Sequence, residues 1–138
     1  MFSKSIRILH VDDSSTARML TARALRSIGF QRLEEAVDGQ VAANMIMAAD
    51  QANDPYGLAI FDWKMPVMDG LQLLKFVRIS SNNPDLPILL STAEGNSESI
   101  LAALKAGVDG FVLKPVQTPE LEEKLKALWS RKNPSAAA

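Results

Sequence analysis

The feature that most constrains this chain is repetition: five times, a short run that reads as a strand gives way to a longer segment whose apolar residues recur at helical spacing. Ile6 to Val11 is the first strand, and Ser14 to Ile28 the first helix, with Ala17, Leu20, Ala24, Leu25 and Ile28 on one face. Gly29 stops that helix, because a residue without Cβ adopts the left-handed cap conformation cheaply. A second strand is expected from Arg32 to Ala36, then an Asp38-Gly39 turn and a helix from Gln40 to Ala49 that loses its pattern in the polar loop 50–55. Leu58 to Phe61 is the third strand, stopping at Asp62, and Leu71 to Ile79 the third helix, after a loop that closes with Asp69-Gly70. Ile88, Leu89 and Leu90 form a fourth strand ending near Ser91 and Thr92; Ser97 caps a helix to Ala106 with Gly107 as its stop. Gly110 to Leu113 is the fifth strand, and Thr118-Pro119 opens the last helix, with threonine as its N-cap and Leu121, Leu125, Leu128 and Trp129 facing inward.

Strict strand-helix alternation, with strands that read as apolar runs, predicts a doubly wound α/β fold: a five-stranded parallel sheet, order 2-1-3-4-5, with helices on both faces. Such folds bind ligands beyond the carboxyl ends of their strands. The residues delivered there are Asp12 and Asp13 after strand one, Asp62 after strand three, Thr92 after strand four and Lys114 after strand five. Three carboxylates meeting on one rim repel one another unless a cation intervenes. A hard divalent ion is the natural one, since Mg²⁺ prefers oxygen ligands and is commonly held by one or two carboxylates together with phosphoryl oxygens. Lys114 adds a compact positive charge and Thr92 a hydroxyl donor, the groups that stabilise a phosphoryl group in transfer. Because Asp62 ends the central strand with the others flanking it, it is the expected nucleophile.

Bulk properties bound the partners. With 138 residues, 47% apolar and 22% charged, at net charge −1, the chain suits one packed domain and excludes a disordered segment or a broadly basic nucleic-acid binder. The absence of cysteine excludes disulfides and thiolate metal sites, and suits the cytoplasm. The stretch from Met1 to Val11 is no signal peptide, and no stretch approaches the length needed to insert in a membrane.

In order and approximate spacing, Val11-Asp12-Asp13, Asp62-Trp63-Lys64-Met65-Pro66-Val67-Met68-Asp69-Gly70, Ser91-Thr92-Ala93-Glu94 and Phe111-Val112-Leu113-Lys114-Pro115 resemble the motifs of response-regulator receiver domains, the chemotaxis (CheY-like) type above all. The resemblance spans Ser5 to Arg131; residues 132–138 read as a flexible tail, a linker or an added end. It implies a two-component signalling switch, not an enzyme with external turnover: a phospho-acceptor at Asp62, Mg²⁺ bound by Asp13, Asp62 and the Lys64 backbone carbonyl, Asp12 assisting through water, and Thr92 and Lys114 on the phosphoryl oxygens. It also implies a phosphohistidine donor on a sensor histidine kinase, and readout through the surface of the fourth helix, fifth strand and fifth helix to a downstream partner or an output domain. A phosphatase and a monomeric or weakly dimeric state belong to the same expectation. A cis Lys114-Pro115 bond, rotation of Phe111, and tuning of phosphoryl lifetime by Lys64 and Glu94 follow from the family as well. Phe111 lacks the phenolic oxygen of a tyrosine, so its rotation would be driven by packing alone.

Taken singly, each motif has a plainer reading. Adjacent acids after a strand are usually caps or solvated residues, Asp69-Gly70 is a turn, His10 is a packed or edge histidine within a strand, Trp63 is a surface-anchored ring beside the site, and Met45, Met47 and the other methionines are core filler. Agreement of four strand ends is what those readings do not predict. An aspartate-nucleophile phosphohydrolase usually carries a second aspartate two positions beyond the first, where this chain has Lys64; a flavodoxin-like carrier needs a phosphate cradle after strand one, where it has two acids.

Overall fold

The computed structural model describes residues 1–93 and 97–134. Strands β1 (Arg7–Val11), β2 (Arg32–Ala36), β3 (Leu58–Asp62), β4 (Ile88–Thr92) and β5 (Gly110–Leu113) alternate with helices α1 (Ser15–Ile28), α2 (Gly39–Gln51), α3 (Gly70–Ser80), α4 (Ser97–Ala106) and α5 (Thr118–Lys132). All pairings are parallel and the strand order is β2-β1-β3-β4-β5, as the alternation predicts.

Because successive strand residues point to opposite faces, the sheet makes two cores. Leu9, Val11, Ala59, Phe61, Ile88 and Leu90 pack against Ala42, Ala43 and Ile46 of α2, Leu73, Leu74 and Val77 of α3, and Ala103 of α4. On the other face Ile8, Leu58, Ile60 and Leu89 meet Ala24 and Leu25 of α1 and Leu121, Leu125 and Leu128 of α5. Each fully buried leucine or isoleucine contributes on the order of 1.5–3 kcal/mol of apolar burial.

Several local readings need correction. Not every strand is an apolar run: β2 is an edge, with Arg32 and Glu35 exposed. It is held by side chains, as Arg7 pairs with Glu34 while Tyr56 Oη donates to Glu34 Oε1 at 3.0 Å. On α1 the buried residues include Thr21 and Ala22, whereas Ala17, Leu20 and Ile28 are only half-buried. Asp38-Gly39 and Asp69-Gly70 are helix starts more than turns. Asp38 Oδ1 accepts from the Val41 N–H, and Asp69 forms a capping box with Gln72, with bonds of 2.8 and 2.9 Å. α5 is capped by Gln117 rather than Thr118, without a side-chain bond. Met45, Met65 and Met68 pack on the core as expected, but Met19 and Met47 are exposed. Gly29 does end α1 in the left-handed region, at φ 119°.

His10 lies on β1, 3% exposed, and neither ring nitrogen has a hydrogen-bond partner among the described residues. Burial, opposed by Asp12 and reinforced by Lys114 and Arg18, lowers its pKa to about 4. Between about pH 6.5 and 4 the unfolded chain therefore takes up a proton that the folded protein refuses, so stability falls as pH falls through that window, by about 3 kcal/mol in all. His10→Leu should flatten this part of the profile in urea titrations from pH 7 to 4; parallel curves for the two proteins would show that His10 is not its source.

Candidate functional site

Since all five strands run parallel, their carboxyl ends share one rim. Asp12 follows β1, Asp62 is the last residue of β3, Thr92 the last of β4, and Lys114 follows β5. The ladder carries on one residue past the strands: Asp12 N–H donates to Ala36 O at 3.1 Å, Trp63 N–H to Ser91 O at 3.1 Å, and Lys114 N–H to Thr92 O at 2.8 Å. These bonds set the backbone from which the polar side chains project. The peptide bond between Lys114 and Pro115 is cis.

One carboxylate oxygen each from Asp12, Asp13 and Asp62 lies within 4.8 Å of the others. Lys114 Nζ reaches into this group, 2.7 Å from Asp12 Oδ2 and 3.1 Å from Asp62 Oδ1. Asp12 and Asp62 are buried, whereas Asp13 is exposed. Asp12 is further anchored, with Oδ1 accepting from Ser14 N–H at 2.9 Å and its carbonyl from Arg18 Nη1 at 2.7 Å. Asp62, Lys64, Thr92 and Lys114 line a cavity of about 210 Å³ together with Trp63 and Ala93. All the residues expected from the strand ends are thus brought to one place, with Lys64 at its wall. Glu94 lies outside the described residues, so the expected pairing with Lys64 does too.

Three carboxylates against one ammonium leave the cluster short of positive charge. Burial, together with repulsion from Asp12 and Asp13, raises the pKa of Asp62 against the opposing pull of Lys114. Burial acts to lower Lys114, but hydrogen bonding to Asp12 and Asp62 wins and raises it. Asp12 Oδ2 is buried and takes up the Lys114 ammonium at 2.7 Å. An all-oxygen donor set, excess negative charge and a buried oxygen with spare lone pairs fit a hard divalent cation such as Mg²⁺.

Support around the cluster includes residues whose role the sequence reading missed. A Cβ on Gly70 would sit 2.4 Å from the Asp62 carbonyl oxygen, and one on Gly39 would sit 2.3 Å from that of Met68. Glycine at both lets α3 and α2 close on the segment after β3, and Gly70 N–H donates to Trp63 O at 2.9 Å. The Asp-x-x-Gln pattern at 69–72 was a visible sign of the cap; nothing local marks Arg18 as the anchor of Asp12.

Since the raised Asp62 pKa means that the folded state disfavours its charge, the destabilisation is absent below the unfolded carboxyl pKa and sets in as pH rises through the folded value. Without divalent cations, Asp62→Asn should therefore be at least as stable as the parent at pH 7, the advantage fading toward pH 4. A clear loss of denaturation midpoint at pH 7 would contradict this balance of charge.

Comparison with known proteins puts this rim in context. The chemotaxis protein CheY-3 of Vibrio cholerae is 38% identical over 131 residues, covering 95% of this chain and 97% of that protein. The chemotaxis protein CheY of Pseudomonas aeruginosa is 38% identical over 128 residues, covering 93% and 99%. Among solved structures, the Vibrio cholerae chemotaxis protein CheY4 superposes with a TM-score of 0.78 at 31% identity, covering 90% of this chain and 98% of that one. The response regulator receiver domain family matches residues 8–126, a span that holds the whole acidic cluster and Lys114. Sequence motifs, strand order and these matches agree, and the chain belongs to the response regulator receiver domains, with the chemotaxis proteins among its relatives.

Proposed function

We propose that the protein is a phospho-acceptor switch whose chemistry is confined to its own phosphorylation and dephosphorylation, with Asp62 as the acceptor. The observation that carries this reading is the convergence of Asp12, Asp13 and Asp62 with Lys114 Nζ between two of them. Asp13, Asp62 and the Lys64 backbone carbonyl would hold Mg²⁺, with Asp12 assisting through water. The ion, when bound, supplies positive charge against the carboxylates and the phosphoryl oxygens.

An Asp62 carboxylate oxygen attacks phosphorus, and the bond from phosphorus to the donor's histidine nitrogen breaks; because the donor ring is protonated at its other nitrogen, the products are an acyl phosphate and a neutral imidazole on the kinase. Burial strips water from the Asp62 carboxylate. Lys114, on the segment after β5, places its charge on the transferred oxygens, and the Thr92 hydroxyl donates to another. The protein makes little new covalent chemistry; it holds groups in place.

Phosphorylation adds nearly two negative charges beside residues carried by β4 and β5. Drawing Thr92 and Lys114 inward then shifts an equilibrium between shapes of the α4–β5–α5 surface. Leu101 and Leu104 on α4 and Leu113 on β5 are each more than half exposed, apolar side chains suited to docking a downstream protein or output domain. The donor is a sensor histidine kinase, the setting is cytoplasmic, and the working unit is residues 5–131 with 132–138 as a tail. No helix among the described residues is long and apolar enough to cross a membrane.

Incubation with acetyl phosphate and Mg²⁺, followed by intact mass, tests the reading. The expected result is a gain of one phosphoryl group by the parent, reduced at least about tenfold in Asp62→Asn and without Mg²⁺. An equal gain in Asp62→Asn would overturn the assignment of Asp62. Saturating Mg²⁺ should also raise thermal stability, by about 2.7 kcal/mol at a hundredfold excess over Kd, and Asp13→Asn should lose most of that gain.

A further inference from the structure

Trp63 is half-buried beside the site and packs against the core. Its ring stacks on Phe111, with centroids 6.1 Å apart and planes 15° from parallel. Trp63 directly follows Asp62 at the end of β3, whereas Phe111 is on β5, so the two belong to strands separated by β4. Neighbouring strands are spaced roughly 4.8 Å apart, so the rings close a gap of about 10 Å.

The two ends of this bridge differ in freedom. Trp63 has its backbone pinned on both sides, its N–H donating to Ser91 O at 3.1 Å and its carbonyl accepting from Gly70 N–H at 2.9 Å. Phe111 is on an edge strand, half-buried, and its phenyl ring has no polar atom with which to be held by a hydrogen bond. Three residues on, Lys114 reaches back to Asp62. Any inward or outward swing of the Phe111 ring must therefore break or reshape its stack on Trp63.

We propose that Trp63 is a positioning residue for Phe111: the stack between the ring beside Asp62 and the ring on β5 sets how often Phe111 leaves its resting place. The inference rests on the phospho-acceptor reading and adds, beside Lys114, a second physical link by which events at Asp62 reach β5. An aromatic pair of this kind shifts an equilibrium about two- to tenfold. Removing the indole should release Phe111 before any phosphoryl group arrives, whereas a phenyl in its place should restore the hold.

The test uses the full chain with 4-fluorophenylalanine at its five phenylalanines, the Phe111 resonance being assigned by its loss in Phe111→Leu. Fluorine spectra of the parent, Trp63→Leu and Trp63→Phe are compared before acetyl phosphate and at equal phosphoryl occupancy, read by intact mass. In Trp63→Leu the resting Phe111 resonance should already lie toward its phosphorylated position, and the further change on phosphorylation should fall to about half or less of that in the parent. Trp63→Phe should behave as the parent. A Phe111 resonance in Trp63→Leu that starts and moves as in the parent sinks the positioning role while leaving the phospho-acceptor reading intact. A parent that gains no phosphoryl mass sinks that reading, and the proposed link with it.

Discussion

Lys114 lies between two buried carboxylates, and the rest of the rim is organised around that contact. Its ammonium stands 2.7 Å from one oxygen of Asp12 and 3.1 Å from one of Asp62. Without it, burying both acids would leave two like charges with nothing to offset the loss of water. With it the cluster is still short of positive charge, and that deficit makes the rim receptive to a divalent cation. The same lysine is the first residue past β5, which ties the electrostatics of the cluster to the position of an edge strand.

Backbone geometry turns this contact into a defined site. Parallel strands need crossover helices, and those helices form the two apolar layers that clamp the sheet. Asp12 is held at its side chain by Ser14 and at its carbonyl by Arg18. The turn after Asp62 is closed by α3 starting at Gly70, where no side chain fits. On the β5 side the backbone bond from Lys114 N–H to Thr92 O is joined by the ion pair of Lys114 with Asp62 and by the stack of Trp63 on Phe111.

The fold was legible because amphipathic spacing is local. Each helix shows its apolar face within about two turns, and each central strand is a short apolar run. Edge strand β2 broke the pattern: Glu34 is held by Arg7 and Tyr56, residues 27 and 22 positions away, so its place depends on neighbours and not on its own hydropathy. The N-cap of α5 fell on Gln117 instead of Thr118. In α1, Thr21 rather than Leu20 is buried, because the sheet and α5 decide which stripe of that helix faces inward.

The order of strands and helices, and the kinds of side chain that end each strand, were determined by the sequence alone, since periodicity and composition are properties of neighbours along the chain. Tertiary structure decided the distances: that Lys114 meets Asp12 and Asp62 together, that Gly70 must lie against the Asp62 carbonyl, and that Trp63 reaches Phe111 across β4. The lysine and ring contacts join segments far apart in the chain, the glycine contact closes a loop of eight residues, and in each case the packing of the sheet and its helices brings the groups within reach.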